Sequence, residues 1–250
     1  MVSDKDSLKF LNQKIMFSGV PTVYGIDPFS TETSPSHSLG TIGITPDGRK
    51  FRYAEVGGTA LVAGNLLQNA AEATDSQALA VAAASIGATS ITTTTTVTVT
   101  ANEFENGYVV VTVTPGLGNV YRIKSHPAAT TATVVITLYD PIEVALTTDS
   151  RIDMVHNPFA NVIQWPATET GTPVGVAFIA AAADTFTWIQ TGGVAAVLQE
   201  GATAVGAAVR ASGGTAGAVI DDATIAQAEV GTAVTGIASG ENGAIFLRLD

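Results

Sequence analysis

The three histidines are the first residues to examine for chemistry, and they lie far apart, at His37, His126 and His156. Asp153 is a potential partner close to His156, but in a strand residues three positions apart point to opposite faces. Ser125 and His126 are adjacent and also diverge in a strand, which argues against a nucleophile and base pair. We therefore predict no catalytic residue and no metal site, and we interpret His126 as a turn or packing residue.

Carboxylates and tryptophans offer two further kinds of site. Glu103 and Glu105 flank Phe104, and a pair of carboxylates is what a glycosidase needs, although acidic β-proteins commonly contain such pairs. Trp165 and Trp188 are candidates for a sugar-stacking platform, but packing in a core or an interface is the favoured interpretation. The sequence contains no Gly-x-Ser-x-Gly elbow, phosphate-binding loop or dinucleotide fingerprint. Nothing here supports an enzyme, and we expect no cofactor.

The charge balance narrows the range of partners. The 250-residue chain has a net charge of −11 with only 11 Lys and Arg, which disfavours nucleic-acid binding because phosphates need clustered cations. Charged residues make up 13% of the chain, about half the usual share, so we expect other subunits to cover part of the surface in a homo-oligomer. Cysteine is absent, which excludes disulfides and thiolate metal sites. The longest apolar runs fall short of the roughly 20 residues that span a bilayer, so no membrane role is expected.

The clearest structural signal is the stretch from Gly107 to Pro141, which predicts three antiparallel strands separated by two turns. β-branched and aromatic residues fill the strands, while Gly116, Gly118 and Asn119 suit a tight reversal. In the middle strand Tyr121 and Ile123 fall on one face and Arg122 and Lys124 on the other. Such alternation is typical of a meander with one dry and one wet face.

The remaining segments also favour strands. Hairpins are predicted in 41–67, a threonine-rich strand in 91–100 and a further strand in 142–146, whereas 68–85 is interpreted as an irregular crossing. Short segments with Gly-rich turns follow from 174 to 250, including a turn at Thr191-Gly192-Gly193, which indicates a small barrel or sandwich. The predicted fold class is all-β, with antiparallel β-barrel or sandwich domains at 41–165 and 166–250 and an extended N-terminal arm.

Residues 1–40 form this arm. A short helix is possible near its start, and the segment from Ser18 to Gly40 is rich in Pro, Ser, Thr and Gly. Two interpretations stay open, a floppy tail or a segment that orders against a neighbouring subunit. In the second case the interface anchors are Phe17, Tyr24 and Phe29.

Two passages resemble virion structural proteins of tailed bacteriophages: Thr41–Leu67, with Thr-Ile-Gly-Ile-Thr-Pro-Asp-Gly-Arg-Lys, and Gly118–Leu146, with Tyr-Arg-Ile-Lys-Ser-His-Pro-Ala. The C-terminal part is similar to head-decoration, or cement, proteins, through Trp-Ile-Gln-Thr-Gly-Gly-Val-Ala-Ala-Val-Leu at 188–198 and a Gly-Ala-rich phrase at 206–219. The resemblance covers roughly residues 41–250 and leaves out the arm. It implies a β-rich oligomer, often a trimer, bound to the outside of a capsid shell.

We accordingly expect a non-enzymatic protein that decorates and stabilises a phage capsid by bridging subunits of the major capsid protein. The N-terminus has no apolar signal segment, so we expect synthesis in the host cytoplasm and a final location on the capsid exterior. Two alternatives stay open. One is a component of the phage tail or fibre, and the other is a β-protein that binds or hydrolyses carbohydrate.

Overall fold

The computed structural model describes residues 22–71, 73–221 and 226–250, and this part of the chain is nearly all β. Its one helical element is a 3₁₀ turn at Thr74–Ser76. None of these residues forms a helix that is long and apolar enough to cross a bilayer. The strands are β1 (Thr22–Tyr24), β2 (Thr31–Glu32), β3 (Ile42–Ile44), β4 (Lys50–Glu55), β5 (Leu66–Gln68), β6 (Leu79–Ala80), β7 (Ser90–Thr94), β8 (Thr98–Val99), β9 (Tyr108–Val113), β10 (Val120–Ser125), β11 (Ala129–Thr130), β12 (Thr133–Leu138), β13 (Arg151–Val155), β14 (Ile163–Gln164), β15 (Pro173–Ala177), β16 (Phe186–Leu198), β17 (Ala208–Ala211), β18 (Val219–Ile220), β19 (Glu229–Ala233) and β20 (Asn242–Arg248).

The chain forms two compact units, and the second is inserted into the first. Unit 1 combines the residues up to 68 with 161–250, and unit 2 comprises 69–160. The two ends of the insertion leave unit 1 from paired antiparallel strands, because Ile163 of β14 lies opposite Gln68 of β5. The predicted segments 41–165 and 166–250 do not coincide with these units. The difference arises because β4, early in the chain, pairs with β16, which is far away in sequence.

Unit 1 is built on the long strand β16. Its first half pairs with β4, and its second half pairs with β20, which continues through β19 and β17 to β18. The expected turn at Thr191-Gly192-Gly193 is instead part of one continuous strand, whose pairing with β4 shifts register between Gln190 and Gly192, as in a β-bulge. Glycine suits this position because Gly193 has a φ of +83°.

Two apolar clusters hold unit 1 together. One lies under β16 to β20, where Val197, Val209 and Ile245 are fully buried with Trp165. The other contains Phe51, Tyr53 and Trp188, and the partly buried Val23, Ile26 and Leu39 of the N-terminal segment pack against it. Residues 22–40 therefore belong to the fold of unit 1.

Unit 2 is a nearly closed, six-stranded antiparallel barrel in the order β6-β13-β9-β10-β12-β7. A bridge between Val81 and Thr93, and a hydrogen bond from Thr93 Oγ1 to the carbonyl of Ala80 (2.8 Å), bring β7 back to β6. The predicted meander is confirmed as β9, β10 and β12, and Tyr121 and Ile123 are buried while Arg122 and Lys124 are exposed. Burial alternates along each barrel strand, so one face fills a single apolar core and the other faces solvent.

Two strand predictions within unit 2 need correction. Residues 142–146 form no strand and make only an isolated bridge between Leu146 and Ala84, because Ile142 and Leu146 point into the core from an irregular segment. The threonine-rich stretch is interrupted after Thr94, so that β7 joins the barrel and β8 pairs separately with β11.

Candidate functional site

The predicted arm anchors differ in their surroundings. Phe17 lies outside the described residues. Tyr24 ends β1 and is 76% exposed, and Phe29 is 68% exposed while its ring meets the edge of Phe178 at a centroid distance of 4.9 Å. Tyr24 therefore presents a free aromatic surface, whereas Phe29 is already partly engaged with its own chain.

The segment 22–40 is extended and lies on unit 1. β1 pairs in parallel with β3, and β2 pairs with the start of β16. The Tyr53 hydroxyl donates to the Glu32 carboxylate and accepts from the Ser36 amide at 3.1 Å, and the ring of His37 meets the Tyr53 ring edge-on at 5.2 Å. The hydrogen bond from Tyr53 lowers the pKa of the Glu32 carboxyl, and burial raises the pKa of Tyr53. These contacts attach the segment to its own sheet.

His126 has the packing role that the sequence indicated. It is 3% exposed, and its Nε2 accepts the Phe104 amide proton at 3.0 Å. Nδ1 therefore carries the ring proton and donates it to the carbonyl of Pro127, also at 3.0 Å. With both ring nitrogens hydrogen-bonded, the imidazole is fixed in place and holds the loop before β9.

His156 and Glu103 lie close together on unit 2. Nε2 of His156 lies 3.7 Å from Glu103 Oε1, and the imidazole stacks on the Phe104 ring at 4.3 Å. Burial lowers the pKa of His156, although the nearby carboxylate of Glu103 opposes this shift. In the same residues no three His, Asp or Glu side chains come close enough together to hold a metal ion.

Both tryptophans are core residues, as the favoured interpretation predicted. Trp165 is 2% exposed and donates its indole N–H to the carbonyl of Ser212 at 2.7 Å, and Trp188 is 3% exposed beside Tyr53. A sugar ring needs an open aromatic face for stacking, so neither indole offers such a platform.

The outer face of unit 2 carries a tyrosine–arginine row that begins on β13, crosses β9 and β10 and ends just after β12. Val155 of β13 lies opposite Tyr108 of β9, and Tyr108 lies opposite Arg122 of β10. The guanidinium of Arg122 then covers the ring of Tyr139, just after β12, at 4.6 Å from its centroid. We define the tyrosine–arginine row as Val155, Tyr108, Arg122 and Tyr139, all of them exposed.

Asn106 holds one end of the row in place. Its Oδ1 accepts hydrogen bonds from Arg122 at 2.8 Å and from the Tyr139 hydroxyl at 3.1 Å. Its own backbone is fixed by the carbonyl of Ile123 and by the side-chain amide of Asn157. Asn106 adopts a φ of 61°, a left-handed conformation in which Asn is enriched. Arg122 and Tyr139 are thus held in one geometry before any partner binds.

Sequence reasoning found only part of this row. The alternation in β10 placed Arg122 on the wet face, but no local pattern relates it to Tyr108 or Tyr139. Arg122 comes close to Tyr108 and Tyr139 only because the strands pair in this register, since all three residues are well separated in sequence. Chemically, the row offers flat aromatic area, one cation and fixed polar groups, a combination suited to binding a partner surface.

Comparison with known proteins gives no further identification: no protein-family model, no curated protein and no solved structure matches this chain.

Proposed function

We propose that this chain is a structural virion protein that decorates the exterior of a bacteriophage capsid and bridges subunits of the major capsid protein. The observation that carries the proposal is the tyrosine–arginine row on unit 2. Tyr and Arg are enriched among the residues that dominate binding energy in protein interfaces. Because Asn106 fixes Arg122 and Tyr139 beforehand, less side-chain freedom is lost when they bind.

Decoration of a shell suits a protein whose individual contacts are modest. Copies joined in a trimer engage several equivalent sites at once, so weak contacts combine into stable attachment. The low share of charged residues and the exposed apolar side chains on the outer strand faces support coverage by other subunits. In this proposal the protein is made in the host cytoplasm, and the arm supplies a second contact.

Cosedimentation with purified capsids that lack this protein tests the contact. We expect the Y108S/R122S variant to bind roughly thirtyfold more weakly, which corresponds to about 2 kcal/mol, the loss of one interface hot spot. Lys124→Ser is the matched control, since Lys124 is exposed on the same strand and face but lies outside the row. Equal binding by the double variant and the control would remove the row from the proposal.

A deletion tests the arm separately. Removing residues 2–21 leaves every described strand in the chain, whereas a deletion to 40 would also remove β1 and β2 from unit 1. The shorter deletion should weaken capsid binding without changing the circular dichroism of the β-units. Unchanged affinity would exclude residues 2–21 as a contact.

Carbohydrate binding is the second candidate, and the same row favours it. Tyr108 and Tyr139 present partly open rings, and Arg122 and Asn106 add hydrogen-bonding groups beside them. Screening on a glycan array distinguishes the two functions. Sugar retention that is lost in Tyr108→Ser would favour the carbohydrate function, whereas capsid binding without any glycan signal would favour decoration. A tail or fibre location, the remaining alternative, is distinguished by imaging of whole particles.

A further inference from the structure

Unit 1 contains a groove of about 390 Å³ at one end of β16, remote in sequence from the tyrosine–arginine row. It is lined by the turn between β3 and β4, by Gly192 and Gly193 of β16, and by the end of β20 with Asp250. We call it the basic groove and define it by the side chains that the argument uses: Arg49, Lys50, Val194, Phe246 and Arg248.

Three cations line this groove in a chain whose net charge is −11. Lys50 is exposed and makes no ion pair with any residue in the described part of the chain. Arg248 is also exposed, and its guanidinium donates a hydrogen bond to Thr232 Oγ1 and lies 3.9 Å from Glu229 Oε1. Arg49 is held by Asp47 at 2.7 Å and by the ring of Phe178 at 5.1 Å from its centroid. Lys50 is therefore the cation that an incoming carboxylate meets first, and Arg248 adds a second, partly engaged charge.

The two carboxylates that line the groove are already engaged. Asp250 accepts two hydrogen bonds from Arg52, at 2.6 and 2.7 Å, and one from Thr191 at 3.1 Å. Burial acts to raise the pKa of Asp250, but the bonds from Arg52 prevail and hold it below its ordinary value. Asp47 pairs with Arg49 and accepts from Thr45. Lys50 makes no ion pair with either carboxylate, although its charge helps to lower the pKa of Asp250.

An apolar strip runs beside these cations. Val194 and Phe246 are cross-strand partners on β16 and β20, and they are 46% and 47% exposed. The groove stays open because glycine lines it on β16: a Cβ at Gly192 would come within 3.3 Å of the Lys50 stem, and one at Gly193 within 3.0 Å of Arg49 Cγ. The glycines let the stems of Lys50 and Arg49 lie close against the strand, and the charged end of Lys50 stays exposed.

We propose that the basic groove binds an extended protein segment that carries a carboxylate next to an apolar side chain. The carboxylate pairs with Lys50 and Arg248, and the apolar side chain covers Val194 and Phe246. Charge complementarity selects such an acidic segment, and the groove volume lies in the range that accommodates a short stretch of chain. The binding is independent of the decoration proposed above, which uses the tyrosine–arginine row of unit 2.

Fluorescence anisotropy with dye-labelled hexapeptides tests the groove on the full chain. The probes are an alternating Glu-Leu peptide and its Gln-Leu and Lys-Leu counterparts. We expect binding of the Glu-Leu peptide alone, weakening with added NaCl because the exposed charges are screened. Lys50→Glu should weaken it about tenfold, as expected when one exposed ion pair becomes a repulsion. Lys124→Glu makes the same charge change in unit 2 and should have no effect.

Phe246→Ser provides a second test that changes no charge, and it should also weaken binding of the Glu-Leu peptide. Tyr24→Ser, which changes another exposed aromatic residue, is the control and should leave this binding unchanged. Equal affinities for the Glu-Leu and Gln-Leu peptides would overturn the proposal, as would equal losses in Lys50→Glu and Lys124→Glu. Sedimentation velocity decides whether a second copy of the chain occupies the groove instead. If the protein self-associates, Lys50→Glu abolishes this association and the Glu-Leu peptide does not bind, the proposal is contradicted. Tighter binding of a short oligonucleotide than of the peptide would also contradict it.

Discussion

Replacement of His126 by alanine should destabilise unit 2 without changing unit 1. The imidazole is 3% exposed and accepts the Phe104 amide proton at 3.0 Å, in a loop whose Phe104 side chain is fully buried. Alanine offers no acceptor, so the amide loses its partner, which costs about 1–3 kcal/mol. The carbonyl of Pro127 also loses a donor, but Pro127 is exposed, so water replaces that bond at little cost.

The removed ring adds a packing loss of roughly 1 kcal/mol, because its carbon atoms lie against the Phe104 ring at a centroid distance of 5.9 Å. The total expected loss is about 2–4 kcal/mol in the free energy of unfolding of unit 2. With a urea dependence of about 1–1.5 kcal/mol per molar for a domain of this size, the unfolding midpoint should fall by roughly 2 M.

The positions of the tryptophans make the measurement specific to one unit. Trp165 and Trp188 both belong to unit 1, so tryptophan fluorescence follows unit 1 while far-ultraviolet circular dichroism follows both units. In His126→Ala the dichroism transition of unit 2 should move to lower urea and the fluorescence transition should stay in place. An unchanged dichroism midpoint would refute the bracing role of His126, and an equal shift of both signals would refute its restriction to unit 2.

Two further predictions concern the same unit. Gly107→Ala should destabilise it by about 1–3 kcal/mol in urea titrations, because the new methyl group would overlap a backbone carbonyl of β13, whereas Gly58→Ala, which meets open space, should change little. The stability of unit 2 should also fall as the pH drops from 7.5 to 5.5: burial lowers the pKa of His156 below its ordinary 6.5, so the unfolded chain binds more protons in this range. Thermal melts across this pH range should show a smaller loss of stability in His156→Gln than in the unmodified protein. An identical loss in both proteins would show that His156 is not the group responsible.

The parts of the fold that depend on local pattern were predictable from the sequence. β10 alternates strictly, and the structure buries Tyr121 and Ile123 while exposing Arg122 and Lys124. Side chains alternate between the two faces of any strand, so this pattern can be read without knowing which distant residues the strand pairs with. The all-β class is confirmed for the same reason, since many short segments independently favour strands.

Features that depend on distant partners were not predictable. Gly192-Gly193 fits a turn as well as a bulge, and only the pairing of β16 with β4 on one side and β20 on the other makes it a bulge. The same long-range pairing places residues 69–160 as an insertion, which no change in composition marks. Strands that are far apart in sequence can therefore pair in one sheet: β4 ends at Glu55 and β16 begins at Phe186.

The candidate sites show the same division. Burial of both tryptophans followed from their general preference for cores, and the wet face of β10 supplied Arg122. The tyrosine–arginine row and the basic groove each assemble residues from three or more segments, so they appear only once the register is known.

Imaging of virions assembled with and without this protein tests the central proposal most directly. Negative-stain or cryo-electron microscopy should show extra density at regularly spaced positions on the outer surface of the shell when the protein is present, and a bare shell when it is absent. Identical shells in both preparations, or extra density confined to the tail, would contradict a role in capsid decoration.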